Sequence, residues 1–197
     1  MTTTEKPPVH QRRRAFIDKL DRLARDLASG DKHLVGQARR SFAQLRRSVS
    51  GQRYEHEAMS LIFEFDPPRE EEQIWLTIAG LFALNPQTSS APLRLGAALR
   101  RLDQRRPGTT AQKRLRQLLA ADANSLPQHL RSTLQLLASH DIVVDFRSLL
   151  DDAVTLLRPH RDEEQERNTR WRWARDFHRQ ENTNTTNNND LSQENDE

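Results

Sequence analysis

The residue types that most often perform catalysis or bind metal ions are present, but their spacing suits neither task. Asp151 and Asp152 are adjacent, so a helix would point their carboxylates in different directions. We interpret this pair as a solvated helix face near a cap. The histidines show no HxH or HxxxH spacing, which would place two imidazoles on one metal ion, so we expect no metal site. They are His10, His33, His56, His129, His140, His160 and His178.

Nucleotide-binding and hydrolase motifs are absent from the sequence. It contains no GxxxxGK[ST] phosphate loop, no GxGxxG dinucleotide fingerprint and no GxSxG nucleophile elbow. It also has no cysteine, which excludes disulfides, thiolate ligands and a cysteine nucleophile, and is compatible with a reducing compartment. We therefore expect a protein that has no catalytic residues and carries no cofactor.

Arginine is the residue type whose distribution indicates a function. The formal charge of the chain is +3, and residues 181–197 carry −5 with no lysine or arginine, so the first 180 residues carry +8. A surplus of that size favours a polyanionic partner or an acidic protein surface. The planar guanidinium pairs with phosphate and stacks on bases, so arginines on several helices could form a groove for a nucleic-acid strand.

The candidate nucleic-acid-binding residues lie on the polar sides of several predicted helices. In residues 31–49 the apolar side chains recur at three- and four-residue steps, which leaves the arginines on the flanks and the opposite face. A solvated helix face explains any one of these cations, whereas the whole set favours binding. Arg12, Arg13 and Arg14 are interpreted as a basic helix start. The candidate set is Arg39, Arg40, Arg46, Arg47, Arg100, Arg101, Lys113, Arg114 and Arg131.

Hydrophobic spacing predicts an all-α fold, a single-domain bundle of about eight or nine helices. Asp31, Ser125 and Asp145 stand where N-caps belong, and Thr109 or Thr110 is predicted to cap another helix. The sequence LIFEF is short and β-prone, so a strand is an alternative for the third element. The predicted helices cover about 10–28, 31–51, 54–65, 68–84, 93–106, 109–121, 125–137, 146–157 and 162–179.

Three regions follow from these patterns. Residues 1–9 are predicted to be a flexible lead, 10–180 a helical domain, and 181–197 a disordered, acidic, Asn-rich tail without an apolar face. The start of the sequence has no apolar signal segment. The longest apolar run, Ile74–Leu84, is far shorter than the roughly 20 residues of a membrane span. We therefore expect a soluble, cytoplasmic protein with no membrane partner.

Six segments in chain order carry a family resemblance. They are FAQLRRS, IWLTIAGLFALNP, LRLGAALRRL, KRLRQLLAAD, LRSTLQLLASHDIVVDFRSLLDDA and RWRWARDF. Together they resemble the CasB family, the small subunit of the type I-E CRISPR Cascade surveillance complex. The second segment is similar to a W-x-x-A-x-L-F-A-x-x-P element of that family, and the third to its leucine-glycine helix. His178 stands where the family usually has an aromatic residue, Phe146 where it often has tryptophan, and the acidic tail has no recognised counterpart.

The resemblance implies a helical, non-enzymatic subunit that forms a homodimer within an RNA-guided antiviral complex. Its implied partners are the other Cascade subunits, the guide crRNA, and the target and non-target DNA strands of the R-loop. An alternative is a structural adaptor that bridges protein subunits without touching nucleic acid. A free-standing DNA-binding regulator would need a helix-turn-helix, which the turn DANSLPQH supports only weakly. The residues that the resemblance carries over are Arg46, Arg47, Arg100, Arg101, Arg114 and Arg131.

Overall fold

A computed structural model describes residues 6–48 and 55–179, which form α-helices around one hydrophobic core. A 3-10 turn, Arg69–Glu71, leads into the fourth helix. Within the described ranges there is no strand, and the one parallel bridge joins Leu93 to Val144. The all-α prediction is confirmed. The helices are α1 (Val9–Leu27), α2 (Lys32–Ser48), α3 (Glu55–Phe63), α4 (Glu72–Leu84), α5 (Leu95–Arg105), α6 (Thr109–Ala120), α7 (Leu126–Ala138), α8 (Phe146–Leu157) and α9 (Glu163–His178).

Some predicted features are outside the described residues, and one alternative is excluded. Residues 1–5 of the lead, the helix end at Gly51, the helix start at Tyr54 and the tail 181–197 fall in undescribed parts of the chain. The LIFEF segment, residues 61–65, is helical as far as Phe63, where α3 ends, and its last two residues form a turn. The strand alternative for this segment is therefore wrong.

Two of the predicted caps form and two do not. Asp31 Oδ1 accepts backbone N–H groups from the first turn of α2 at 2.8 and 3.3 Å. Asp145 Oδ1 does the same for α8 at 3.0 and 3.4 Å. Ser125 occupies the N-cap position of α7, but its hydroxyl donates to Asp122 Oδ1 at 2.7 Å instead of bonding the helix. The threonine cap is wrong because Gly108, which is also tolerated at an N-cap, precedes the first residue of α6.

Helix α4 is the centre of the bundle, as its uniformly apolar sequence predicts. Nine of its thirteen residues are buried, and α2, α3, α7 and α8 pack on it. Phe82 stacks on Phe42 of α2 with ring centroids 6.1 Å apart and meets Phe146 edge-on at 4.9 Å. Burying each such ring stabilises the fold by about 1.5–3 kcal/mol. Of the helices that carry candidate arginines, α2 and α7 pack on α4 directly, whereas α5 packs mainly on α9 and α6.

The start of α4 is fixed by a buried carboxylate. Glu71 is 2% exposed and accepts hydrogen bonds from Arg13 Nε at 3.0 Å and Nη2 at 2.6 Å, and from Trp75 Nε1 at 3.1 Å. Arg13 Nη1 also donates to Asp151 at 2.9 Å. Burial lowers the pKa of Arg13, but its bonds to Glu71 and Asp151 outweigh that effect and raise the pKa overall. Arg13 is thus a structural cation that joins α1, α4 and α8, rather than part of a simple basic helix start.

Helix α9 docks on α5 at very short range because residue 96 has no side chain. An ideal Cβ at Gly96 would lie 2.2 Å from the carbonyl oxygen of Trp173 and 2.9 Å from Cβ of Asp176. The Trp173 and Phe177 side chains are buried, which confirms the prediction that this pair docks the last helix. A glycine is needed at this point so that the two backbones can approach.

A second buried carboxylate holds α9 against α8. Asp152 is 5% exposed, accepts the indole N–H of Trp173 at 2.6 Å, and pairs with Arg172. Burial raises the pKa of Asp152 above the ordinary 3.8 and outweighs the Trp173 hydrogen bond and the Arg172 charge, which lower it. The interpretation of the acidic pair as a solvated face is therefore wrong for Asp152, because its side of α8 is covered by α9. It holds for Asp151, whose side chain is 60% exposed.

Replacing Gly96 by alanine should destabilise the protein by about 1–3 kcal/mol, because the new methyl group meets backbone atoms that cannot rotate away. The matched control is Gly36→Ala in α2, where no atom lies within 4 Å of the added Cβ. That change should stabilise the protein by about 0.5–1 kcal/mol, since glycine is a poor helix residue. Urea unfolding measures both free energies. Equal effects of the two substitutions would contradict the close α5–α9 contact.

The stability of the wild type relative to Asp152→Asn should fall as pH rises from about 4 towards neutrality. Because the pKa of Asp152 is raised on folding, the folded protein binds more protons than the unfolded chain between the two pKa values. Stability from this group is therefore largest below the unfolded pKa and is lost as pH rises through the folded one. Urea titrations across this pH range test the sign. A difference that grows with pH would show that pairing with Arg172 outweighs burial.

Candidate nucleic-acid interface

The structure divides the nine predicted cations between two parts of the bundle. Helix α2, which carries four of them, packs on α1, α3 and α4. Helices α5, α6 and α7, which carry the other five, pack on one another, and α9 covers part of α5 and α6. The predicted set is therefore an α2 group and an α5–α7 group, each positioned by different neighbours. The α2 group is Arg39, Arg40, Arg46 and Arg47, and the α5–α7 group is Arg100, Arg101, Lys113, Arg114 and Arg131.

The four arginines of the α2 group differ in what they contact. Arg39 and Arg40 are exposed and form no side-chain hydrogen bond or ion pair with another described residue. Arg46 Nη1 donates to the carbonyl of Ala83 at 3.1 Å, in the last turn of α4, where helix carbonyls lack partners within the helix. Arg47 pairs with Glu57 of α3 at 3.0 Å. Arg46 and Arg47 in the last turn of α2 thus contact α4 and α3. Arg39 and Arg40, in the middle of the helix, carry positive charges that no described acidic side chain neutralises.

The α5–α7 group contributes to a groove of about 310 Å³. One wall is the outer face of α5, with Arg100, Arg101, Gln104 and Arg105, and the other comes from residues 89–93 and 141–143. Two backbone hydrogen bonds hold the second wall together. The N–H at position 93 donates to the carbonyl at 143 at 3.0 Å, and the N–H at 145 donates to the carbonyl at 93 at 2.8 Å. We call this feature the arginine groove.

The arginines of this groove are oriented by backbone carbonyls. Arg100 is half-buried and its Nη1 donates to the carbonyl of Arg179 at 2.8 Å. Arg105 Nη1 donates to the carbonyl of His140 at 2.6 Å. Arg101 is exposed and makes no side-chain hydrogen bond or ion pair within the described ranges. A carbonyl partner orients a guanidinium without neutralising it, so Arg105 still presents a positive charge to the groove.

Arg105 is a groove residue that the predicted set did not include. Its spacing of four residues from Arg101 puts both on one helix face, and that spacing was the available signal. The opposite wall could not be anticipated, because it depends on a bridge between Leu93 and Val144, 51 residues apart in sequence.

The remaining cations of the α5–α7 group lie on α6 and α7. Lys113 is exposed and has no side-chain partner among the described residues. Arg114 is half-buried and donates to Gln117 Oε1 at 3.1 Å. Arg131 is half-buried in the middle of α7. None of these three residues lines the arginine groove, so the structure brings together only Arg100 and Arg101 of the predicted set in one groove.

Two other kinds of site are missing from the described part of the chain. Within residues 6–48 and 55–179, no three histidine, aspartate or glutamate side chains converge in a way that could hold a metal ion. In the same ranges no helix is both long and apolar enough to cross a membrane.

Comparison with known proteins assigns the family. The family model for CRISPR-associated protein Cse2 matches residues 41–178, well over half of the chain. The chain belongs to the Cse2 family. The match begins inside α2, so Arg39 and Arg40 lie before it and the other candidate cations lie within it. The acidic tail, residues 181–197, lies beyond its end.

Solved structures agree with the Cse2 assignment. A CRISPR-associated protein of the Cse2 family from Thermus thermophilus is 28% identical, with a TM-score of 0.63 over 84% of this chain and 96% of that one. A structure of CasB from Thermus thermophilus is 27% identical, with a TM-score of 0.62 over the same shares. The resemblance to CasB is thus confirmed.

A more distant match shows the same fold. A chain from a structure described as a CRISPR RNA-guided surveillance complex is 18% identical, with a TM-score of 0.62 over 86% of this chain and 92% of that one. At this identity the likeness shows the fold alone. No curated protein sequence gives a significant match.

Arg13→Met should destabilise this Cse2-family protein by about 3–5 kcal/mol, because Glu71 would remain buried after losing its cation. Arg14→Met is the matched control, since Arg14 is exposed on the same helix, and its effect should stay within about 0.5 kcal/mol. Urea unfolding gives the free energy of unfolding of both variants. It thereby distinguishes an arginine that stabilises the fold from one that is exposed and could bind a partner. Similar small effects for both would contradict the role given to the Arg13–Glu71 pair.

Proposed function

We propose that this chain is the non-catalytic small subunit of a type I-E Cascade, an RNA-guided CRISPR surveillance complex of antiviral defence. In this role it acts in the cytoplasm, as a homodimer beside the other Cascade subunits, and binds the guide crRNA and the opened target and non-target DNA strands. Membership of the Cse2 family supports this proposal, as does the fold shared with a chain of a CRISPR RNA-guided surveillance complex.

The observation that carries the proposal is the arginine groove on α5. It combines the exposed Arg101 with Arg105, which a carbonyl holds in place, and the exposed Lys113 lies on the next helix. Such charges bind phosphates without reading bases. Exchanging a DNA duplex for an RNA–DNA hybrid and a displaced strand is nearly balanced in free energy, so contacts of this kind can stabilise the opened state. The groove therefore suits a subunit that holds strands irrespective of sequence.

The double substitution Arg101→Ala and Lys113→Ala should weaken target-DNA binding by the reconstituted complex about equally for all target sequences. It removes two exposed cations that have no side-chain partner in the described part of the chain, so the fold should be unaffected. If both contact phosphates, the slope of log affinity against log salt should become shallower by roughly 1.5–2. Affinity measured over a salt series gives both quantities.

Two further double variants make this test specific. Arg39→Ala with Arg40→Ala removes the two exposed cations in the middle of α2. This variant measures how much the α2 surface contributes to target-DNA affinity. Arg14→Ala with Arg22→Ala removes two exposed α1 cations outside the candidate set and should leave affinity and salt slope unchanged. If the Arg101→Ala, Lys113→Ala variant and the Arg39→Ala, Arg40→Ala variant both bind target DNA like the wild type, the strand-holding role is wrong.

A structural adaptor is the second candidate function, and the Arg47–Glu57 ion pair favours it for the α2 group. Arg47 already binds a carboxylate from α3, which is how an arginine on a protein interface would behave. In this case the exposed Arg39 and Arg40 would meet acidic side chains of a neighbouring subunit. Loss of co-purifying subunits from the Arg39→Ala, Arg40→Ala variant after nuclease treatment, with an unchanged salt slope in the Arg101→Ala, Lys113→Ala variant, would support the adaptor.

A further inference from the structure

The acidic tail leaves the folded bundle at the arginine groove. Arg179 is the last described residue, and its carbonyl oxygen accepts the hydrogen bond from Arg100 Nη1 at 2.8 Å. Arg100 lines the groove together with Arg101 and Arg105. Residue 180 therefore follows directly on a residue that is hydrogen-bonded to one of the groove arginines.

The tail has the charge that this groove would bind. Residues 181–197 contain five carboxylates and no lysine or arginine. Four of the five lie between 11 and 18 residues beyond Arg179. A chain spans at most 3.3–3.6 Å per residue, so 11 residues can extend up to about 36–40 Å. Helix α5, with 11 residues, is only about 16 Å long, so the four distal carboxylates can reach any part of the groove. They are Glu181, Asp190, Glu194, Asp196 and Glu197.

The charged groups around the groove favour an anion. Arg100, Arg101 and Arg105 line it on the α5 side, and one exposed carboxylate, Asp141, lines the opposite wall. On α9, the last turn adds Arg175 and His178 beside the exit of the tail. Asp176, in the same turn, adds a second carboxylate. The four arginines at the groove and the tail exit therefore outnumber the two carboxylates among the described residues there.

We propose that residues 180–197 fold back along the arginine groove and compete there with the nucleic-acid backbone. This inference rests on the proposed function, because the competing ligand is the strand that the groove would hold. A tether of this length gives the tail a millimolar effective concentration at the groove. Exposed ion pairs are weak and salt-sensitive, so a correctly placed strand in the assembled complex displaces the tail. The tail thereby lowers binding of unrelated strands to the free protein.

A spin-label experiment on the full chain tests the contact directly. Because the chain has no cysteine, Gln104→Cys introduces a single labelling site at the groove, and Ser60→Cys on α3 is the matched control. The label at position 104 should broaden the amide NMR signals of residues 190–197, and the label at 60 should not. The broadening should disappear at high salt. Equal broadening from both sites, or none from position 104, overturns the inference.

A neutral-tail variant tests the competition. It carries the changes Glu181→Gln, Asp190→Asn, Glu194→Gln, Asp196→Asn and Glu197→Gln. At low salt it should bind a 20-nucleotide single-stranded DNA on the order of threefold to tenfold more tightly than the wild type. In the labelled wild type, the same DNA should remove the broadening. Unchanged DNA affinity of the neutral-tail variant overturns the competition but leaves the proposed function standing.

The two proposals can also fail separately in the other direction. If neither the wild type nor the neutral-tail variant binds the DNA while the label at position 104 still broadens the tail signals, the tail contact stands and the competition is overturned. Strand holding is then decided by the affinity of the reconstituted complex. Ser192→Ala is the control, because it alters the tail without altering its charge. This variant should match the wild type in the broadening of the tail signals and in DNA affinity. A large effect of that control would show that the competition is not electrostatic, and it would overturn the inference.

Discussion

The close contact between α5 and α9 is the constraint on which the candidate surface depends. Gly96 lets the backbone of Trp173 approach to a distance that no side chain would permit, and Asp152 holds the indole of Trp173 from the other side. This arrangement brings the end of α9 to α5, so that Arg100 can reach the carbonyl of Arg179. The contact between α5 and α9 therefore sets where the described chain ends relative to the arginine groove.

Buried carboxylates divide the cations of this protein into two kinds. Glu71 and Asp152 each accept an indole N–H and bind an arginine, which offsets part of the cost of removing the carboxylate from water. Arg13 and Arg172 are thereby committed to the fold. Because each pair is electrically neutral, the positive surplus of the first 180 residues comes from other side chains. Exposed ones such as Arg101 and Lys113 can meet phosphates or acidic proteins.

Much of the fold could be predicted from the sequence because its signals are local. Apolar spacing indicates the helices, and the apolar surroundings of Trp75 indicate that α4 is central. The partners of Glu71 and Asp152 could not be predicted, because Arg13 and Arg172 lie 58 and 20 residues away along the chain. The candidate cations were visible as basic helix faces. Which of them share a groove depends on how separate helices pack, and no local pattern contains that information.

The most direct test of this account is site-specific photo-crosslinking from the arginine groove in the assembled complex bound to target DNA. A photoreactive residue replaces Gln104, which is exposed and lines the groove between the arginines, and in a parallel preparation it replaces Ser60 on α3. The account predicts crosslinks to a nucleic-acid strand from position 104 and none from position 60. Crosslinks from position 104 to protein subunits alone would contradict it.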